Sequence, residues 1–163
     1  LIFPLDVASS KEAGEYISLL SDEVGLFKVG KQLFLHAGPE IVRSIQQTGG
    51  QVFLDLKFHD IPHTVANAGI EAARLGVAMF NLHASGGLEM MRKTRTEVYK
   101  VCRTERLRRP IILGVTVLTS LSRQDLQQTG VAAGVEKQVL RLAKLAQEAG
   151  LHGVVTSPQE VAR

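Results

Sequence analysis

The sequence predicts an α/β protein, a (β/α)8 TIM barrel of which residues 1–163 cover about the first six βα units. Three observations carry that prediction. Short apolar strand-like runs alternate with helical runs along the whole chain, as in a parallel sheet covered by helices. Asp6, Lys28, Asp55 with Lys57, His83 and Thr119 recur toward the C-terminal ends of successive strands, where barrels place their chemistry. The turn after the first strand, VASSKEAG, lacks the GxGxxG fingerprint of a doubly wound nucleotide fold.

The units follow in order. LIFPLD (1–6) is a strand, followed by the helical KEAGEYISLLSDE. LFKVG (26–30) precedes a helical stretch that runs on through PEIVRSIQQTG. QVFLDLK (51–57) leads into IPHTVANAGIEAARLG, where Pro62 is placed as an N-terminal helix starter. VAMFNLH (77–83) leads into GGLEMMRKTRTEVYKVCR. PIILGVTVL (110–118) leads through a loop to VEKQVLRLAKLAQEAG, and GVVTS (153–157) opens a sixth unit. Gly49, Gly76 and Gly150 stand where helices stop.

Six units in 163 residues is about 27 each, so eight need about 217, near the lower end of barrel size. A six-strand arc alone exposes two sheet edges. The expectation is a single barrel domain over 1–163, cut short at both ends and mainly at the C-terminal one.

With 45% hydrophobic and 21% charged residues, the composition is that of a globular domain rather than a disordered one. The net charge of +3 suits an anionic small molecule. Residues 92–109 carry eight basic and two acidic residues. With only Tyr99 aromatic among them, they read as a solvated outer helix rather than a nucleic-acid surface. The longest apolar stretch, IILGVTVL, is far shorter than a membrane span. The single cysteine, Cys102, excludes an internal disulfide and reads as a packing residue; cytosol is the expected compartment. His36, His63 and His152 show no metal-like spacing, and His59 is expected to face solvent or a partner. His83, after Asn81 on one strand face, is a pocket-lining or a hydrogen-bonded core histidine.

The third strand poses the central question. Asp55, Lys57 and Asp60 put three charges into an otherwise apolar run, although desolvation costs several kcal/mol per ion. Strand alternation puts Phe53, Asp55 and Lys57 on one face and Leu54 and Leu56 on the helix-facing one. The same alternation turns Lys28 away from Phe27 and Val29. A Lys–Asp–Lys cluster in the barrel mouth is the result, with Asp60 just beyond the strand as a fourth charge. A structural plug of ion pairs is the plain alternative, but such a network is rarely more stable than an apolar one.

DLKFHDIPHTV resembles the D-x-K-x-x-D-I-P-x-T signature of the orotidine 5'-phosphate decarboxylase family. LDV (5–7), FKVGK (27–31), NLHASGG (81–87), VTVLTS (115–120) and GVVTS extend the resemblance along the chain. Sugar-phosphate relatives such as 3-keto-gulonate-6-phosphate decarboxylase share the bare DxKxxD; the IPHTV continuation and the LTS turn make the match specific.

The resemblance implies decarboxylation of orotidine 5'-monophosphate to UMP with no metal or organic cofactor. It implies that Asp6 meets the ribose and that Lys28 meets a ribose hydroxyl and the charge network. Asp55 lies beside the substrate carboxylate, and Lys57 is the proton donor. Asp60 and Thr64, with Ile61 between them, reach the ribose side of the partner's site in a homodimer. Thr119, with Ser120, touches the pyrimidine. The family's phosphate grip lies in the last two units, so residues 1–163 alone are expected to be inactive. A metal-dependent sugar-phosphate lyase of the same superfamily and a noncatalytic nucleotide-binding barrel are the rival readings.

Overall fold

The computed structural model describes residues 1–160; the last three residues of the sixth unit lie outside the described residues. Six parallel strands form one sheet in sequential order: β1 (Ile2–Pro4), β2 (Leu26–Gly30), β3 (Val52–Phe58), β4 (Met79–His83), β5 (Ile111–Val115) and β6 (Gly153–Val155). Among the described residues, each strand pairs with the next and with none further along. That order is the winding of a barrel; a doubly wound sheet reverses direction at a switch point.

The crossovers are helical. They comprise α1 (Ser10–Leu20), α2 (Lys31–Ala37), α3 (Glu40–Gln47), α4 (Pro62–Arg74), α5 (Gly87–Thr104), α6 (Arg123–Gln128) and α7 (Val135–Glu148). Where one helix was expected after β2 there are two, because Gly38 takes a left-handed turn (φ 63°) and Pro39 follows it. The loop expected after β5 contains α6, closed at its start by a reciprocal cap between Ser122 and Asp125. Gly49, Gly76 and Gly150 all have positive φ at helix ends, and Pro62 begins α4, as expected.

Register explains the layering. Val29, Leu54, Phe80 and Ile112 are neighbours across four strands, and each is at most 1% exposed. This is the helix-facing row. Lys28, Phe53 and Met79 form the adjacent row on the inner face. Behind the sheet, α4 and α5 approach closely at Gly69, where a Cβ would sit 3.0–3.1 Å from Val98, Phe80 and Thr94. Cys102 is buried in this layer, and burial pushes its thiol up from the usual value. The basic stretch over 92–109 is partly engaged. Arg92 pairs with Glu148, and the Arg95 and Arg109 guanidiniums lie 4.6 and 4.9 Å from the Tyr99 ring centre. Among the described residues, no helix is long and apolar enough to cross a membrane.

Candidate active site

The charged end of β3 is not a regular strand. Leu54 pairs with Phe80 and Phe58 with Leu82, so four steps along β3 answer two along β4. Lys57 lies within this bulge with φ at 53°. Left-handed backbone costs a non-glycine residue about 1–2 kcal/mol, and bulges re-aim side chains next to sites. Simple alternation therefore describes Phe53 and Asp55 but stops short of Lys57. The bulge brings Lys57 to the same side by another route. Its ammonium sits 2.6 Å from Asp55 Oδ1 and faces the cavity at the strand ends, not the helices.

Lys28, one strand away, donates to Asp6 Oδ1 at 2.8 Å and lies 3.6 Å from Asp55 Oδ2. Lys28, Asp55 and Lys57 are therefore joined as predicted, and Asp6 rather than Asp60 is the fourth member of one chain of alternating charge. It borders a cavity of about 290 Å³, with Lys31 and Gln32 from the start of α2 completing the rim. Asp55 is the innermost member, its side chain 12% exposed against 68% for Asp6. Burial alone raises the Asp55 carboxyl pKa. Hydrogen bonds from Lys57 and Asn81, with the charges of Lys57 and Lys28, outweigh it and hold the group below the usual carboxylate value. The site thus keeps a fixed anion between two ammoniums, which is a preorganised field for a reaction that moves charge.

The other predicted residues do not join this cluster within the chain. Asp60 is exposed just past β3, where its carboxylate accepts the Ile61 N–H at 2.6 Å. It is not the fourth charge of the cluster, because the chain turns outward there to begin α4. Ile61 is 65% exposed and Thr64 is exposed on the first turn of α4. Thr119 and Ser120 are exposed in the turn after β5. His59, expected to face solvent or a partner, is exposed but also pairs with His83, their ring centres 5.3 Å apart. Burial, then the neighbouring His59, Lys31 and Lys57, lower the His83 pKa against the pull of Asp55. Among the described residues, no group of three His, Cys, Asp or Glu side chains is placed to hold a metal ion.

One member of the site carries no charge and escapes a search for charges. Asn81 on β4 is 1% exposed, between Phe80 and Leu82, both fully buried. It donates to Asp55 Oδ1 at 2.6 Å and accepts the Lys57 backbone N–H at 2.8 Å. A signal for it exists in the sequence: a carboxamide inside an apolar strand needs partners, and MFNLH is such a strand.

The model of the family described as "Orotidine 5'-phosphate decarboxylase / HUMPS family" matches residues 1–163. The chain is 55% identical over 161 residues to the orotidine 5'-phosphate decarboxylase of Syntrophotalea carbinolica. The match covers 99% of this chain and 66% of that protein, so the chain spans just under two thirds of that curated relative's length. Among solved structures, an uncharacterized conserved protein from Geobacillus kaustophilus superposes with a TM-score of 0.92 at 36% identity, over 99% of this chain and 75% of that one. The orotidine 5'-phosphate decarboxylase from Lactobacillus acidophilus superposes with a TM-score of 0.87 at 34% identity, over 99% and 72%.

Proposed function

The chain belongs to the orotidine 5'-phosphate decarboxylase / HUMPS family, and on that premise we propose that the protein containing it converts orotidine 5'-monophosphate to UMP and CO2 without metal or organic cofactor. The observation that carries the proposal is the Lys28–Asp55–Lys57 chain of charge, open to a cavity rather than sealed as a plug. Within the family the decarboxylase reading is favoured over a sugar-phosphate lyase by the 55% identity to a named orotidine 5'-phosphate decarboxylase.

The chemistry needs these groups. When the bond from C6 to the carboxylate breaks, the electron pair stays on C6 in an in-plane orbital that the ring π system cannot delocalise. Fixed positive charge must replace an electron sink. Lys57 supplies it, then transfers an N–H proton to C6, forming the new C–H bond; the neutral amine regains a proton from solvent. Asp55 aims Lys57 and sits beside the departing carboxylate, where like charge favours loss of CO2. Lys28 and Asp6 meet the ribose, and Thr119 and Ser120 meet the pyrimidine. Asp60, Ile61 and Thr64 serve the site of a second subunit, a reading supported by their exposure beside the mouth. The protein acts in the cytoplasm, and residues 1–163 are part of one longer eight-stranded barrel.

The test is turnover of orotidine 5'-monophosphate by full-length protein in the presence of a chelator, followed by loss of orotate absorbance. Lys57→Ala is expected to lower turnover at least about 10³-fold with the fold intact. Near-normal turnover of that variant overturns the assignment, and loss of activity on chelation favours the metal-dependent lyase.

A further inference from the structure

The carboxamide of Asn81 is oriented by its partners. A backbone N–H can only donate, so the contact to Lys57 N must be made by Oδ1, which leaves Nδ2 to face Asp55. One buried side chain thus grips the backbone of the lysine and the carboxylate of the aspartate together. Its place in the sheet explains why a side chain does this. Between Leu54 and Phe58 the β3–β4 pairing is broken, and the Oδ1 of Asn81 takes the Lys57 N–H in place of a ladder carbonyl. The left-handed turn at Lys57 is pinned at its own amide.

We infer that Asn81 is a positioning residue for the reaction. It holds the bulge that sets the Lys57 ammonium against Asp55, and it supplies the uncharged donor that keeps the Asp55 carboxylate aimed at that ammonium. It acts through Lys57 and Asp55 and needs no contact with substrate. Its catalytic consequence rests on the decarboxylase reading above; its grip on the bulge does not.

Two variants of the full-length protein separate the arms. Asn81→Leu keeps the approximate shape and removes both hydrogen bonds. Asn81→Asp keeps an acceptor for the Lys57 N–H but sets a second carboxylate against Asp55, so that the pair binds one proton more readily. Hydrogen exchange at the Lys57 amide reads the grip directly. Asn81→Leu is expected to speed that exchange at least about tenfold, with amides of β2 and β5 unchanged. Its kcat is expected to fall about 100-fold, as for a small misplacement of a reacting group, with KM within about threefold. Asn81→Asp is expected to keep slow exchange at Lys57. At low pH its shared proton replaces the lost donor and restores part of kcat; as pH rises and that proton leaves, kcat falls, opposite in direction to any loss caused by unfolding in acid.

Unchanged Lys57 exchange together with kcat within about twofold of the parent in Asn81→Leu overturns the inference. If Asn81→Leu does not fold, a parental pH profile for Asn81→Asp overturns it. A full-length parent that folds but does not consume orotidine 5'-monophosphate removes the proposed function. Exchange at Lys57 then decides the grip alone: acceleration in Asn81→Leu supports it and parental exchange overturns it.

Discussion

Replacing Asp55 by alanine tests whether the charge cluster holds the fold as well as the site. Two hydrogen-bond donors and one ion-pair partner lose the carboxylate. Asn81 Nδ2, in a residue 1% exposed, is left without the oxygen 2.6 Å away. An orphaned buried donor costs about 1–3 kcal/mol. Lys57 loses a partner at 2.6 Å, but its side chain is 26% exposed and can turn toward water, so about 0.5–1 kcal/mol is the appropriate allowance. Lys28, 3.6 Å away, keeps Asp6. Against these losses, the variant no longer desolvates a carboxylate. The net expectation is a destabilisation of about 2 kcal/mol at neutral pH.

The pH dependence has a definite sign. Because the folded state lowers the Asp55 pKa from 3.8, the carboxylate contributes stability that is fully present above the unfolded value. That contribution is lost as pH falls through the depressed folded value. Urea unfolding of full-length parent and Asp55→Ala, followed by far-UV circular dichroism at stepped pH, measures it. The gap is expected to be constant from neutrality to about pH 5 and to shrink below about pH 4. A variant as stable as the parent, or a gap that widens in acid, refutes the reasoning. Either result would mean that desolvation of Asp55 outweighs its two donors and the charge of Lys28.

Two other outcomes follow from the same geometry. Lys57→Gly and Lys57→Ala both remove the ammonium, so the difference between them isolates the left-handed backbone at φ 53°. Glycine is expected to be the more stable by about 0.5–1 kcal/mol in urea unfolding, the reverse of its usual rank in a strand; a more stable alanine variant contradicts the strain. Mixing inactive Lys57→Ala and Asp60→Ala subunits is expected to restore about a quarter of parental turnover, one good site per mixed dimer with half the dimers mixed at random. No recovery after subunit exchange counts against a shared site.

What can be read along the chain is what local chemistry controls. Positive φ at Gly49, Gly76 and Gly150 and the start of α4 at Pro62 are decided within one helical turn. The strand cores follow from apolar runs, and the gathering of Asp6, Lys28, Asp55 and Lys57 follows from their common place near strand ends. α6 is harder because its six residues are too few to show a helical period, and only the Ser122–Asp125 cap marks it. The break between α2 and α3 is written in Gly38–Pro39, but apolar residues on both sides mask it. The bulge at Lys57 has no local mark at all. Lysine does not favour positive φ, and the conformation is held by Asn81, which lies 24 residues further along the chain.

That non-local dependence favours the proposed positioning for chemistry over a structural plug as the account of the buried charges. A structural plug is best served by closed ion pairs on regular strands, where each side chain is placed by alternation and no backbone is strained. The observed cluster departs from that arrangement in two ways: Lys57 occupies left-handed backbone, and its side chain remains 26% exposed toward the cavity. Both features weaken the cluster as a source of stability, since strain costs free energy and water screens the pair. Both are useful if the ammonium must meet a second anion. On that proposal the bulge re-aims it, the opening admits the ligand, and Asn81 and Asp55 keep it from turning away. Positioning for chemistry explains the strained lysine, the buried carboxamide and the open cavity together, whereas a plug explains only the ion pairs.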